Sequence, residues 1–392
     1  MKIAVAGAGI GGLTVASLLH DRGHDVTIFD QMSEPQPVGS GLVIQPVGQT
    51  VLHEVGAGDY CDAKGASLER MQGREVRTGR RVLDVRYGRP QGRPGKRSFG
   101  LSIHRATLFH ALMEQVTARG IHIVPAFQVS SARAGTLRDA AGRDVRGFEL
   151  IVDALGANSP LSPLVSVPLP YGAVWGTVDW PEGTELPYTW LSQRYRRAAN
   201  MIGAMPCGSL PGEETRKAAI FWSLPTTAEG AFRARGLAAW RTEACALWPA
   251  FAPFLDQITD LDQMTMARYG HGTLAAPYGD GIAYIGDSAH RASPQLGQGA
   301  NMALLDALAL ARALEQRAGQ AALRLYAQAR RRHVAIYQAM SWAFTPQYQS
   351  NSRLLPWLRD AVFFPISQVP PVPRILNRLV CGDLTAPLGR LT

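Results

Sequence analysis

KIAVAGAGIGGLTVASLLHDRGHDVTIFD, residues 2–30, decides the fold. Lys2 to Ala6 is a short β-rich run, Leu13 to Leu19 carries apolar residues at helical spacing, and Asp25 to Phe29 returns to strand character. Strand, turn, helix and strand make a βαβ unit, and Gly7, Gly9 and Gly12 spell G-x-G-x-x-G across its turn. There the first glycine turns the chain, the second admits a pyrophosphate, and the third lets helix pack on strand. The helix start offers the phosphates unpaired N–H groups and a positive dipole end. Asp30 closes the second strand eighteen residues after Gly12, near the ~20 expected of an acid that accepts hydrogen bonds from a ribose. Together these features specify a dinucleotide site but leave FAD and NAD unresolved.

A second anchor lies at GIAYIGDSAHRASPQLGQGANMALLDALALARAL, residues 281–314. A strand-like run stops at Gly286 and Asp287, passes through a Pro and Gly-rich turn, and becomes a long helix. A free dinucleotide needs one nucleotide unit, whereas an FAD held along the protein needs another contact for its ribityl chain and ring. Asp287 could bond a ribityl hydroxyl where Gly286 permits close approach. Pro294, Gly297, Gln298 and Gly299 then shape a turn whose amides open a helix from about Ala300. A helix start aimed at the pyrimidine edge of a flavin stabilises the negative charge that appears on reduction.

GDSAHRASPQLGQGANMALLDA resembles the GD motif and following helix of the FAD-dependent aromatic hydroxylases, the single-component flavoprotein monooxygenases that include p-hydroxybenzoate hydroxylase. VGSGLVIQPVGQTVLHEVG, residues 38–56, resembles that family's segment after the second strand and holds Gln45. SIHRATLFHALMEQ resembles its helix with an FAD-contacting arginine, here Arg105. The resemblance implies an α/β fold: a Rossmann-like FAD-binding domain (1–70, 98–165 and 275–340), an inserted, mainly antiparallel β-sheet substrate domain (71–97 and 166–274), and a C-terminal helical region (341–392). It implies FAD held by Gly7, Gly9, Gly12, Asp30, Gln45, Arg105, Gly286, Asp287, Gly299, Ala300 and Asn301, with Pro294, Gly297 and His271 near the chemistry. It further implies hydroxylation of a small aromatic or heteroaromatic molecule with NADPH or NADH and O2 through a C4a-hydroperoxyflavin. A flavin oxidase, a dehydrogenase, or a non-enzymatic FAD-bound interaction protein are the alternatives; the W-x-W-x-I-P signature of related halogenases is absent.

One family motif is altered. Where the family shows a D-G pair, then Ser and Arg, this chain reads LIVDALGANSPLS, residues 150–162, with Leu155 in place of the acid and Ser162 in place of the base. Gly156 and Ser159 persist. On strand alternation Asp153 shares a face with Leu155 and is expected to compensate, so that NAD(P)H reduction is retained.

YGAVWGTVDW, YTWLSQRY and AAIFWSLP, between residues 171 and 225, read as antiparallel strands of a second sheet. Trp175, Tyr195, Trp222 and Tyr269 are candidate substrate-pocket residues, although a large strand aromatic is more often core. Arg268 and His271 are placed near the outer edge of the flavin, where a phenolate or carboxylate would want a partner. For His271, and for His290 within the GD motif, a solvated or structurally bonded histidine is the commoner reading.

The 392-residue chain carries a formal net charge of +9, much of its excess in RMQGREVRTGRRVLDVRYGRPQGRPGKR, residues 70–97. With no recognition helix, zinc finger or RNP pattern beside it, this run reads as a solvated face, and nucleic acid is not expected as a partner. An anionic small molecule or phosphate-bearing cofactor fits better. Cys61, Cys207, Cys245 and Cys381 form no C-x-x-C pair, which suggests a reducing cytoplasm rather than disulfides or zinc. Neither an export signal nor a transmembrane segment is expected, and the protein is read as a monomer or homodimer. LLPWLRDAVFFPISQVPPVP, residues 354–373, is expected to be an apolar lid over the chain's own core; a lipid surface or partner is the alternative.

Overall fold

The computed structural model describes residues 1–34, 39–88, 99–389 and 391. Val38 and residues 89–97 of the basic run lie outside the described residues. Among them, Lys2–Ala6 sits inside a six-stranded sheet, flanked by Asp25–Phe29 and Leu150–Asp153, with Ile282–Tyr284 next to the latter. These pairings are parallel: Ala6 registers with both Phe29 and Asp153, and Asp153 with Tyr284. The strands that precede the two glycine motifs run parallel on either side of Leu150–Asp153, so their carboxyl ends lie along the same edge of the sheet, where an open α/β sheet binds ligands. Helix Ile10–His20 packs on helix Gly299–Gln316 in one core with Ile3, Val5, Leu13 and Leu308, all at most 2% exposed.

The second sheet has seven strands in the order Thr265–Ala267, Tyr171–Asp179, Lys217–Pro225, Asn200–Pro206, Trp190–Arg196, Arg70–Glu75 and Arg81–Arg86. All its pairings are antiparallel except that of Trp190–Arg196 with Arg70–Glu75. Its two faces differ in what covers them. Val174, Ile202, Ile220 and Trp222 pack against helix Glu229–Leu247, whereas Met205, Cys207 and Ala219 pack with Val43, Tyr87 and Val380 on the nucleotide side. At Gly41 a Cβ would stand 2.8 Å from the Ala219 Cβ, so this glycine lets the two units approach.

Two expectations need correction here. Helix Gly319–Tyr348 runs unbroken through residue 341, so no boundary separates a C-terminal region there. Residues 354–373 do not close over the core as a lid: Leu354, Trp357, Phe363, Ile366 and Val369 are 45% or more exposed. The helical turns of this stretch direct Pro356 and Arg359 inward and leave the opposite stripe outside.

Candidate cofactor and substrate site

Each glycine of the first motif meets a different demand. Gly7 has φ +105°, and a Cβ on it would lie 2.6 Å from the Ala154 carbonyl oxygen. A Cβ on Gly12 would lie 1.9 Å from the Gly7 carbonyl oxygen. At Gly9 nothing stands within 4 Å of that position. The protein itself thus requires the first and third glycines, while the space over the second is open to a ligand, matching a pyrophosphate-binding turn. Asp30 accepts the Ala8 amide at 2.7 Å and the Met32 amide at 2.9 Å. Partly exposed, its carboxylate keeps lone pairs for further donors.

At the second motif Gly286 has φ +60° and donates its N–H to Asp306 Oδ2 at 2.9 Å. The Asp287 carboxylate accepts no hydrogen bond from any described residue. It faces Arg105, His290 and Arg291; burial raises its pKa and these groups pull it back. Burial likewise lowers the Arg105 pKa, against the pull of Asp287. Both side chains reach open space while protein surrounds their other sides, as on the walls of a cleft. The helix Gly299–Gln316 that follows begins without a side-chain cap or an acid in its first turn, leaving its leading N–H groups for a ligand.

Gly297, at φ +60°, sits where a Cβ would come 3.3 Å from Gln45 Nε2, so Gln45, Gly297 and Asn301 meet at this helix start. Asn301, expected to touch FAD, is completely buried, and its side chain is spent within the protein. Its Oδ1 accepts the Gln45 amide at 2.7 Å, and its Nδ2 donates to the carbonyls of Val43 and Gly297 at 3.2 and 3.0 Å. It shapes the turn rather than presenting its amide to a ligand. Gln45 Oε1 accepts the Tyr87 hydroxyl at 2.6 Å, and Pro294 opens an exposed single turn, Pro294–Leu296.

The altered LIVDALGANSPLS segment does not compensate as expected. The strand ends at Asp153, and Leu155 has φ −71° and ψ −6°, so strand alternation no longer relates them. Asp153, fully buried, accepts the Leu155 amide at 3.0 Å and the Ser159 hydroxyl at 2.6 Å, closing its own turn instead of supplying an exposed acid. Ser162 donates to the Ser288 carbonyl at 2.5 Å and joins this turn to the GD motif. Burial pushes the Asp153 pKa up to about 6. A carboxyl with a raised folded pKa stabilises the fold below its unfolded pKa, and that contribution is lost as pH rises through the folded value. Asp153→Asn is therefore expected to gain about 2–3 kcal/mol relative to the native chain between pH ~4 and ~6, with no further change above ~7. Denaturant unfolding of both proteins across that range measures the difference, in which the opposite trend from His333, held near 4 by burial, cancels.

A buried ionic network, not apparent from spacing alone, holds the second motif in place. Asp306 Oδ2 lies 2.6 Å from His290 Nε2, and Oδ1 accepts Arg330 Nε at 2.7 Å. Arg330 Nη1 donates to the Pro387 carbonyl at 2.5 Å and to His333 Nδ1 at 3.3 Å, so the ring proton of neutral His333 sits on Nε2 and is donated to the Gly382 carbonyl, 2.9 Å away. Burial alone would raise the Asp306 pKa, yet His290 and Arg330 hold it at about 2. The available signal was a single acid at an inward position of the apolar run LLDALALARAL. Asp306→Ala strands Arg330, 1% exposed, without a counter-charge, a loss of about 3–5 kcal/mol. A fall of that size in unfolding free energy is the expected result.

The candidate substrate residues separate by sheet face. The Trp175 indole donates to the Tyr269 hydroxyl at 2.9 Å and packs on Phe221 with ring centroids 4.5 Å apart. Burial raises the Tyr269 pKa to about 12, so the phenol stays protonated near neutrality and can donate while it accepts the indole. Trp222 lies on the opposite face, in the core beneath helix Glu229–Leu247, and leaves the candidate set. Arg268 leaves it too, because its guanidinium pairs with Glu229 of that helix. Tyr195, 1% exposed, is held between Tyr348 and the Arg359 guanidinium as core. His271 hydrogen-bonds Ser341 Oγ at 3.1 Å, and Ser341 also accepts the Ser293 amide. A cavity of about 890 Å³ lined by Arg74, Arg194 and Trp248 opens on the Trp222 face, and no expected site residue lines it.

Two ligand anchors on strand ends that flank Leu150–Asp153, roofed by a second sheet, define a flavoprotein rather than a protein that binds a free nicotinamide alone. A family model described as FAD binding domain matches residues 1–145 and 241–341. Kynurenine 3-monooxygenase of Xanthomonas euvesicatoria pv. vesicatoria is 31% identical over 371 residues, 87% of this chain and 78% of that one. 3-amino-4-hydroxybenzoate 2-monooxygenase of Streptomyces cremeus is 26% identical over 353 residues, 83% of this chain and 82% of that one. The solved structure of 2-methyl-3-hydroxypyridine-5-carboxylic acid oxygenase, in a tetrameric form, superposes with a TM-score of 0.78 at 21% identity and covers 93% of each chain. The chain belongs to the FAD-dependent aromatic hydroxylases. It is accordingly a flavoprotein monooxygenase with FAD as its cofactor.

Proposed function

We propose that this protein hydroxylates an electron-rich aromatic or heteroaromatic ring bearing an anionic substituent, with FAD held by Gly7, Gly9, Gly12, Asp30, Arg105, Gly286, Asp287 and the Gly299–Ala300 helix start. The Asp287 carboxylate at a glycine turn carries this assignment: it reaches open space, accepts no hydrogen bond from the described residues, and so keeps its lone pairs for a donor such as a ribityl hydroxyl. FAD bound there would take a hydride from NADH or NADPH and activate dioxygen for transfer to the ring. The chain's own groups do the rest. The helix start at Gly299 stabilises negative charge on the reduced ring, while Trp175 and Tyr269 close the space above and exclude water. Tyr269 offers its phenolic O–H to a ring substituent, and Gln45 and Asn301 hold the turn through Gly297 in shape.

The substrates that name two of the similar proteins, 3-amino-4-hydroxybenzoate and 2-methyl-3-hydroxypyridine-5-carboxylic acid, share a hydroxylated ring with a carboxylate. That class suits a chain of net charge +9. The proposed domain limits shift at two points: Arg70–Arg86 belongs with the substrate unit, because Arg70–Glu75 pairs with Trp190–Arg196, and the FAD unit extends to Tyr348 with helix Gly319–Tyr348. Among the described residues no helix is long and apolar enough to cross a membrane. Cysteines without C-x-x-C spacing support a reducing, cytoplasmic setting, and a monomer or homodimer is the proposed state. Incubation with NADH or NADPH, labelled dioxygen and a panel of hydroxylated or aminated aromatic acids tests the function: one labelled oxygen atom in the product is expected. Hydrogen peroxide as the sole oxygen product with every ring would overturn it.

A further inference from the structure

Residues Leu354–Leu358, Arg359–Phe363 and Phe364–Ser367 form successive helical turns, followed by the helix Val372–Cys381. A helix on a protein surface ordinarily turns its polar side to water. This one does the reverse. Its inward residue Arg359 is 1% exposed, pairs with Asp360 at 2.6 Å and donates to the Gln347 carbonyl at 3.0 Å. Outward stand Leu354 (62% exposed), Trp357 (59%), Phe363 (45%), Ile366 (51%), Val369 (58%) and Ile375 (46%). From Leu354 to Pro371 every exposed residue but Gln368 is apolar.

The charges around this surface say what would cover it. Exposed Arg353 and Arg374 stand at its two ends. Asp360, the one acid between residues 342 and 382, is already committed to Arg359. A second copy would bring like-charged rims together inside an apolar interface, at a Coulombic cost. A bilayer with anionic headgroups takes the apolar stripe into its interfacial zone and neutralises the arginines, and tryptophan favours that zone.

We propose that the 354–375 surface docks this protein peripherally on an anionic lipid bilayer. The test is sedimentation of the FAD-loaded full chain with vesicles of phosphatidylglycerol and phosphatidylcholine, and with vesicles of phosphatidylcholine alone. The expected result is co-sedimentation at low salt, at least about tenfold stronger with the anionic vesicles and weakened by added salt. The combined variant Trp357→Glu with Ile366→Glu should need at least about ten times more lipid for half-binding, with FAD content and flavin reduction unchanged. No co-sedimentation with anionic vesicles, or equal co-sedimentation of native protein and variant, would overturn the proposal. So would a dimer that ignores vesicles and that the same variant converts to monomer, because the surface would then serve a second copy.

Discussion

Asp287→Ala is expected to purify as a colourless protein whose apo form melts no lower than the native apo form. The two halves of this result have opposite physical origins. Without ligand, the Asp287 carboxylate accepts no hydrogen bond from the described residues, reaches open space where water can serve it, and has a pKa raised by the protein packed around its other sides. Removing it therefore takes no protein hydrogen bond from the apo fold. With FAD present the same group would accept a hydrogen bond, and one made to a charged acceptor is worth about 1.5–3 kcal/mol, or roughly ten- to a hundredfold in Kd. Flavin-to-protein absorbance ratio, equilibrium dialysis and thermal melts measure both halves. Full flavin occupancy in the variant would remove Asp287 from the site.

Gly9→Val and Gly12→Ala, three residues apart, should fail in different ways. At Gly9 the backbone is extended, with φ −77° and ψ −177°, and the space above is empty, so valine fits the apoprotein without strain. Its side chain occupies the room a pyrophosphate needs, and a loss of FAD affinity of at least about a hundredfold is expected on an otherwise normally folded chain. At Gly12 an added Cβ would collide with the Gly7 backbone carbonyl at 1.9 Å. Backbone cannot yield there without separating helix from strand, so loss of soluble folded protein is the expected outcome. Circular dichroism together with flavin titration separates the two; equal folding and equal FAD affinity in both variants would contradict the assigned roles.

The parts of the fold that could be read from the chain are those set by local geometry. The turn Gly7–Gly12, the acid at Asp30 and the strand–turn–helix around Gly286 are each complete within a few residues, and motif spacing is enough to identify them. The Asp306–Arg330–His333 network was not legible, because its members come from two helices and the C-terminal segment and meet only in three dimensions. Trp175 and Trp222 looked equivalent for a related reason. Their strands are adjacent, but Trp222 registers with Val174 rather than Trp175, and inter-strand register cannot be deduced from alternation within one strand. Leu155 shows the limit of alternation itself: the parity argument from Asp153 failed because the strand stopped at Asp153. Outward placement of Trp357 and Ile366 was likewise hidden, since an apolar stripe on a helix reads the same whether it faces a core or a surface.

The measurement that bears most directly on the account is an anaerobic titration of the FAD-loaded protein with NADH and with NADPH, following the oxidised-flavin visible band, with and without hydroxylated and aminated aromatic acids. Bleaching by at least one nicotinamide, accelerated by a ring compound of that class, is the predicted result. Firmly bound FAD that neither nicotinamide bleaches, with any ring present, would contradict it. That outcome would point to the 150–162 turn, where Leu155 and Ser162 replace the family's acid and base, as the place where nicotinamide-driven hydroxylation is lost.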